Sequence, residues 1–600
     1  MHPRDEGGVI TSRPTDPSRV DAGLGDNSER SADKGLQRPR GAIKRRDRVW
    51  FSVAIGHGAA LTLLGVLALI VFVPFYYSID AALDNGFNGV RQLFADPGFW
   101  PALETTVELG AGSVVLAVVL GTVLAWWAHS LPPGRRWMGN IPLVPLVVPP
   151  LATILGYAFL FSPVVGFGNS VIRLVPPFRG HQSGPFNVYS VPWMIFITGL
   201  LLSSFVFLFV KTSLSQLQQE LFDAAAVNHA GSPRTFFTVV VPLVRPAITY
   251  GAVTVFLLSL GQFTVPLFLG AQDNIQVLST QLYGDIGEGI PNTALAAAYG
   301  LPIVIAGVVL LVVQNVSLRD RQRYVTSVTK GARPLRPSGP VAQACLLLYG
   351  VIAVALPLVA VVIVSLQPYW SRQVDPSAFT LANFRSVFDN PELTGAIRDS
   401  VTYALVTVLI LLPLAYLCAR VVYRRSTVVS RLIETVAMLP LGIPAVIFGL
   451  GFLLAYTQGP LKLYATSAGM VVVYVVLLLP FAVRIILTAM MSLGEDLNDA
   501  ASMNGAGALR RTLTVTIPLL RTAFGSAAAI IVILVSQEFS ASLLVRSEQT
   551  QVMGSVLYDQ WNDGGYPQTA VMALVMCVVT GICVAIAVRL GGSAALGTGE

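Results

Sequence analysis

Apolar runs of about 20 residues alternate with short polar stretches along almost the whole chain. We count twelve, near 49–77, 100–129, 137–162, 192–212, 246–269, 293–316, 340–366, 395–419, 431–456, 466–490, 522–544 and 567–588. About 20 residues is the length a helix needs to cross roughly 30 Å of hydrocarbon. Backbone groups have no water to bond inside a bilayer, so such runs are expected to be helical. The pattern predicts an all-α polytopic membrane protein with about 12 transmembrane helices.

The polar intervals carry a repeat. Residues 223–243 read DAAAVNHAGSPRTFFTVVVPL and residues 499–519 read DAASMNGAGALRRTLTVTIPL, so Asp223 pairs with Asp499, Gly231 with Gly507 and Pro242 with Pro518 at an offset of 276. Residues 90–107 align with 384–401 at 294, Pro145 and Pro149 match Pro440 and Pro444 at 295, and Phe263 matches Phe539 at 276. The fall from 295 to 276 places about 19 extra residues in an outer loop between the third and fourth spans of the first half. Six spans per half, an even number, make the repeats parallel. The expected organisation is a disordered cytoplasmic tail at 1–48, a first half at 49–316, a cytoplasmic linker at 317–339, a second half at 340–590, and a cytoplasmic tail at 591–600.

Composition agrees: 54% of residues are hydrophobic and only 12% charged, far from a soluble domain. The net charge of +7 suggests nucleic acid until its distribution is considered. Basic residues gather at Lys44–Arg48, Arg135 and Arg136, Arg319–Arg323, Arg420–Arg425, and Arg510 and Arg511, in alternate loops. That is the positive-inside pattern of a plasma-membrane protein with both termini cytoplasmic, and no nucleic-acid partner is expected. The four cysteines lie in apolar stretches without paired spacing, and no His pairs with Cys, Asp or Glu at ligand spacing, so neither a metal site nor a cofactor is expected. No phosphate-binding loop of the GxxxxGK[ST] type is present, so ATP hydrolysis is not expected of this chain, and no catalytic residues are assigned.

Each repeated loop predicts a short helix, a turn at Gly231 or Gly507, and a second helix, with Ser232 as N-cap and Pro233 at the first position of the second helix in the first copy. These segments resemble the EAA loops of permease subunits of ATP-binding-cassette importers, whose pattern is Glu-Ala-Ala, three residues, Gly, then a distal Leu/Ile-Pro. Asp499, Ala500, Ala501, Gly505 and Pro518 fit with Asp for Glu. In the first copy Asp223, Ala224, Ala225 and Pro242 fit, but His229 occupies the Gly position. The resemblance implies a type I importer-like fold. It also implies two loops coupled to a separate cytoplasmic ATPase, acting as a dimer, and an extracytoplasmic solute-binding protein. Weaker coupling is expected at His229. Residues 537–574 are similar to fused permeases for ferric iron. The resemblance therefore implies ferric iron as substrate, with thiamine, a phosphonate or a polyamine as alternatives. An ion-gradient-driven secondary transporter explains the helix count but not the paired loops.

Ionisable groups within a membrane are costly and mark candidate sites. Glu538, towards the outer end of the eleventh span, pairs with Gln262 at the shared offset. Two roles remain open for them: lining the solute pathway near the pseudo-twofold axis, or bracing an outer helix end.

Overall fold

The computed structural model describes residues 41–179, 181–287, 291–318, 339–424, 427–459, 462–493, 503 and 507–591. Residues 1–58 and 59–600 separate as two units. Of the first, only the start of the helix Gly41–Ala95 is described. The linker at 317–339, the C-terminal tail and most of the second repeated loop lie almost wholly outside the described residues.

The second unit is helical, with no strand among its described residues. Among the described residues nine helices are long and apolar enough to cross a membrane, and three bent pairs raise the number to twelve. The third run is therefore not one straight helix. A 3-10 segment, Pro133–Leu146, meets the α-helix Pro150–Phe161 at 90°. The bend falls at Pro149, whose extended backbone (φ −54°, ψ 127°) follows from the clash a following proline imposes on a helical residue. Its repeat mate bends by 109° before Ala445–Gln458, where Ile443, preceding Pro444, is extended. The fifth run of each half is shorter than its hydropathy predicts. The spans stop at Leu260 and Gln537, and the remaining residues form the separate short helices Thr264–Leu269 and Ser540–Val545.

Each half is built on the same three-helix core. In the first, Phe99–His129, Val191–Leu214 and Val241–Leu260 pack on one another; in the second, Pro391–Arg424, Ser467–Leu493 and Arg521–Gln537 do. Small residues allow the close crossing. A Cβ on Gly121 would lie 2.7 Å from the Ser203 carbonyl oxygen, and its repeat mate Ala415 is fully buried. The connections that follow the fifth run of each half are pinned alike. The Thr106 hydroxyl accepts the Leu278 amide (3.0 Å), and the Ser400 hydroxyl accepts the Met553 amide (2.8 Å). Both amides lie in the first turn of a helix, where no intrahelical acceptor exists.

The first span of each half packs against the bent span of the other. A Cβ on Gly156 would lie 2.2 Å from the Pro357 carbonyl oxygen, and one on Gly451 2.5 Å from that of Pro74. Gly156 and Gly451 are repeat mates at 295. The Tyr157 hydroxyl donates to the Ile352 carbonyl (2.7 Å), while the Phe75 and Phe448 rings meet edge to face at 4.8 Å. The extra segment between the third and fourth spans of the first half is also folded. The fully buried Asn169 amide donates to the carbonyls of Phe161, Ser162 and Phe186. Arg372 of the second half donates to the carbonyls of Val164 and Gln182 (both 3.1 Å).

Candidate functional site: two repeated loops and a shared axis

The first loop is a helix, a turn and a second helix. Gln219–Val227 owes its helicity to Ala224, Ala225 and Ala226, which lose no side-chain entropy on folding. Asp223 accepts a hydrogen bond from the Gln219 side-chain amide (3.0 Å), and the Asn228 side chain closes the helix on the Ala224 carbonyl (2.8 Å). The turn differs from expectation. His229, not Gly231, takes the left-handed conformation, at φ +52°. Gly231 is extended (φ −66°, ψ 165°) and is itself the N-cap of Ser232–Thr235, so Ser232 is the first helical residue. A left-handed residue costs an L-amino acid energy that glycine avoids, which gives a physical reason for glycine at this position in the EAA pattern.

Ala224, His229, Ser232, Pro233 and Arg234 are exposed, as is Pro242. A Cβ on Gly507 would meet nothing within 4 Å. Small residues on an open surface allow another protein to approach closely. Asp499, Ala500, Ala501 and Gly505 lie outside the described residues; Gly507 and Pro518 are described, the latter in the short helix Ile517–Leu519. Both loops re-enter the membrane domain through a π-helical segment at the same repeat position, Phe236–Val240 and Thr512–Thr516.

The loops are anchored differently. Trp126, near the end of its span, stacks on Phe222 (6.1 Å) and packs on Phe236 (6.1 Å), and His129 also meets Phe222. In the second half the corresponding residue is Arg420, whose guanidinium donates to the Thr512 hydroxyl (2.7 Å), and Thr512 is the mate of Phe236. Sequence reasoning missed both anchors. The aromatic residues at 126, 222 and 236 were visible as types, but nothing in their spacing joins a span end to a loop about 100 residues later.

The second constellation lies where the halves meet. Phe263 stacks on its repeat mate Phe539 with ring centroids 5.9 Å apart and planes inclined by 21°. Tyr283 and Tyr558, aligned at 275, approach to 6.4 Å. Contact between mates puts the pseudo-twofold axis through these rings. Gln262 and Glu538 immediately precede the paired phenylalanines. The Gln262 carbonyl accepts from the Ser279 hydroxyl (2.7 Å). The Glu538 carboxylate accepts the amides of Ala541 (2.8 Å) and Ser542 (3.0 Å), together with the Ser542 hydroxyl. Tyr474 shares that hydroxyl at 2.9 Å. Both carboxylate oxygens therefore serve the first turn of Ser540–Val545, whose free amides favour an anionic acceptor.

A carboxylate pair sits in the first half alone. Asp96 accepts from the Tyr299 hydroxyl (2.7 Å) and the Gly98 amide (2.8 Å). Nearby, Asp285 has one buried oxygen without a hydrogen-bond partner. Burial first, and the Asp96 charge second, push the Asp285 carboxyl up to about 6. The second half has Asn390 and Gln560 at these positions. Among the described residues no group of three His, Cys, Asp or Glu side chains is arranged to hold a metal ion.

Residues 117–323 and 411–592, together well over half of the chain, match the family described as "Binding-protein-dependent transport system inner membrane component". The chain is similar to a ferric transport system permease protein, FbpB, of Actinobacillus pleuropneumoniae, with 22% identity over 540 residues, covering 86% of this chain and 76% of that protein. It is likewise similar to a probable ABC transporter permease protein, y4fN, of Sinorhizobium fredii (strain NBRC 101917 / NGR234), with 24% identity over 495 residues, 79% of this chain and 84% of that one. Among solved structures, a chain of a bacterial ABC transporter involved in the import of the acidic polysaccharide alginate aligns with a TM-score of 0.39 and 18% identity, over 47% of this chain and 100% of that chain. The two matched segments fall one in each half, so the chain belongs to the binding-protein-dependent inner membrane components and is a fused, two-half permease of an ATP-binding-cassette importer.

Proposed function

We propose that this permease moves ferric iron across the membrane, receiving it from a solute-binding protein outside and coupling to an ATPase inside. The observation that carries the substrate is the similarity to a ferric transport permease along 540 residues, which include both halves. Uptake of radioactive ferric iron by proteoliposomes holding the permease, its ATPase and its binding protein tests it. ATP-dependent accumulation is the expected result. Accumulation of a phosphonate or thiamine in its place overturns the substrate but leaves the transporter intact.

In this reading both termini and both repeated loops face the cytoplasm, which the basic clusters support. The loops enter the ATPase, one copy each. Gly505→Asp places bulk and charge in a tight interface and should abolish ATPase stimulation, whereas His229→Asp should cost less because that position already carries a side chain. Equal losses from the two substitutions would refute the asymmetry.

The solute route follows the pseudo-twofold axis, and the Phe263–Phe539 and Tyr283–Tyr558 pairs close it in this conformation. Glu538 supports the route from the side, as its occupied oxygens favour the bracing role over direct contact with a cation. Gln262 is its counterpart in the first half.

A further inference from the structure

A cavity of about 540 Å³ opens between the 3-10 segment Pro133–Leu146 of the first half and the helix Pro340–Gly350, which begins the second. Arg135, Trp137 and Met138 line one side, and Pro340, Gln343 and Leu347 the other. The floor is made by Met138 and Gln343, which are 3% and 7% exposed. The Arg135 guanidinium donates to the Gln343 side-chain oxygen, which fixes the cation at the cavity wall. Lys211 holds the middle of the 3-10 segment through the Gly139 carbonyl (3.0 Å) and the Asn140 side chain (3.2 Å).

We propose that this cavity binds one anionic phospholipid of the inner leaflet, its phosphate on Arg135 and Arg136 and its acyl chains along the second half's first span. No carboxylate lines the cavity, so its charge is positive. Arg135 keeps guanidinium nitrogens beyond the one that meets Gln343, and Arg136, next to it, is exposed. A guanidinium matches a phosphate in shape as well as sign. Trp137 is 63% exposed beside them, the amphipathic residue that favours the headgroup level. Beyond the headgroup the surface becomes apolar: Leu347 on the cavity wall and Leu348, next to it in the chain, are 45% and 55% exposed, a surface for a lipid chain and not for a soluble anion. The repeat copy lacks the site. At offset 295 the mates of Arg135, Arg136 and Trp137 are Ser430, Arg431 and Leu432, and Ser430 is occupied in the capping box with Thr427. One lipid per chain, on one side only, is the consequence.

The inner-leaflet assignment rests on the orientation proposed above, so the test separates the two. The purified full-length protein is titrated with phosphatidylglycerol and, separately, with phosphatidylcholine, and retained lipid is counted by native mass spectrometry. Phosphatidylglycerol should saturate one preferred position, with affinity falling about fivefold for Arg135→Gln and again for Arg136→Gln. Arg431→Gln should change nothing. Equal retention of the two lipids, or an equal loss from Arg431→Gln, overturns the site. The orientation has its own readout, a Cys at Gly134 labelled by an impermeant maleimide. Labelling in inside-out vesicles alone supports it, and labelling in right-side-out vesicles overturns it without touching the titration.

Discussion

The two halves share a core, a bent third span and a pair of π-helical entries, yet they fasten their repeated loops by different physics. The first uses Trp126 between Phe222 and Phe236; the second, among its described residues, uses a charged hydrogen bond from Arg420 to Thr512. Aromatic packing removes a large apolar area from water and fixes two rings at once. A charge-assisted hydrogen bond fixes one direction where the loop re-enters the membrane domain. Duplication has kept the frame and varied the chemistry that fastens the loop to it. In the proposed reading, coupling need not be equally strong on the two sides even when the fold is symmetric.

The sharpest way to break this comparison is to remove each anchor. Trp126→Ala should cost about 3–5 kcal/mol of stability, and Arg420→Ala about 1.5–3 kcal/mol. Chemical unfolding in detergent measures both, and equal costs would remove the difference in anchoring. Next is the pair of repeat mates at the axis. Glu538→Ala leaves the amides of Ala541 and Ser542 without their acceptor and should cost about 1–3 kcal/mol for each group left unsatisfied. Gln262→Ala should cost less, because the hydrogen bond from Ser279 uses the backbone carbonyl and survives the change. A reversed order would show that the bracing carboxylate is dispensable.

A third contrast is acid in the first half and amide in the second at matching positions. The Asp285 proton is held more tightly in the folded protein than at the ordinary value of 3.8, so its ionisation costs stability in full above pH about 6. That cost fades as the pH falls from about 6 towards 3.8 and is gone below it. Asp285→Asn, which gives the first half an amide like Gln560 of the second, should raise the melting temperature at pH 7.5 and flatten its pH dependence between those limits. A variant that melts like the native protein at both ends would remove Asp285 as the source. The smallest effect concerns His229, held at φ +52°. His229→Gly relieves the left-handed strain but loosens the unfolded chain, leaving a net gain of about 0.5 kcal/mol. A loss of stability would mean that the imidazole makes a contact the exposed turn does not suggest.

The span count was legible because hydrocarbon thickness sets a length that apolar runs must meet. The bends at Pro149 and Pro444 were partly legible, since proline at depth announces a break but not a right angle. The end of the eleventh run at Gln537 was hidden by the apolar Ser540–Val545 that follows it, because hydropathy cannot distinguish one long helix from two short ones. The left-handed turn was assigned to Gly231 because glycine is the usual choice there, while His229 took it. The contact between Phe263 and Phe539 was beyond sequence reasoning. Their shared offset marks them as mates, but only tertiary packing places mates against each other.

The exchange of first spans has a consequence for how the chain is made. Gly156 and the bent span around it are covered by residues near Pro357, which leave the ribosome about 200 residues later. The partner of Pro74, at Gly451, arrives later still. A nascent first half is thus inserted with one glycine-lined groove awaiting its helix and one helix awaiting its groove. Assembly is complete only when synthesis has passed both. A chain stopped after the first half should be cleared by membrane proteases faster than the full-length protein, and co-expression of the missing second half as a separate polypeptide should rescue it. Pulse–chase labelling of the truncated chain, with and without that second polypeptide, follows the outcome directly.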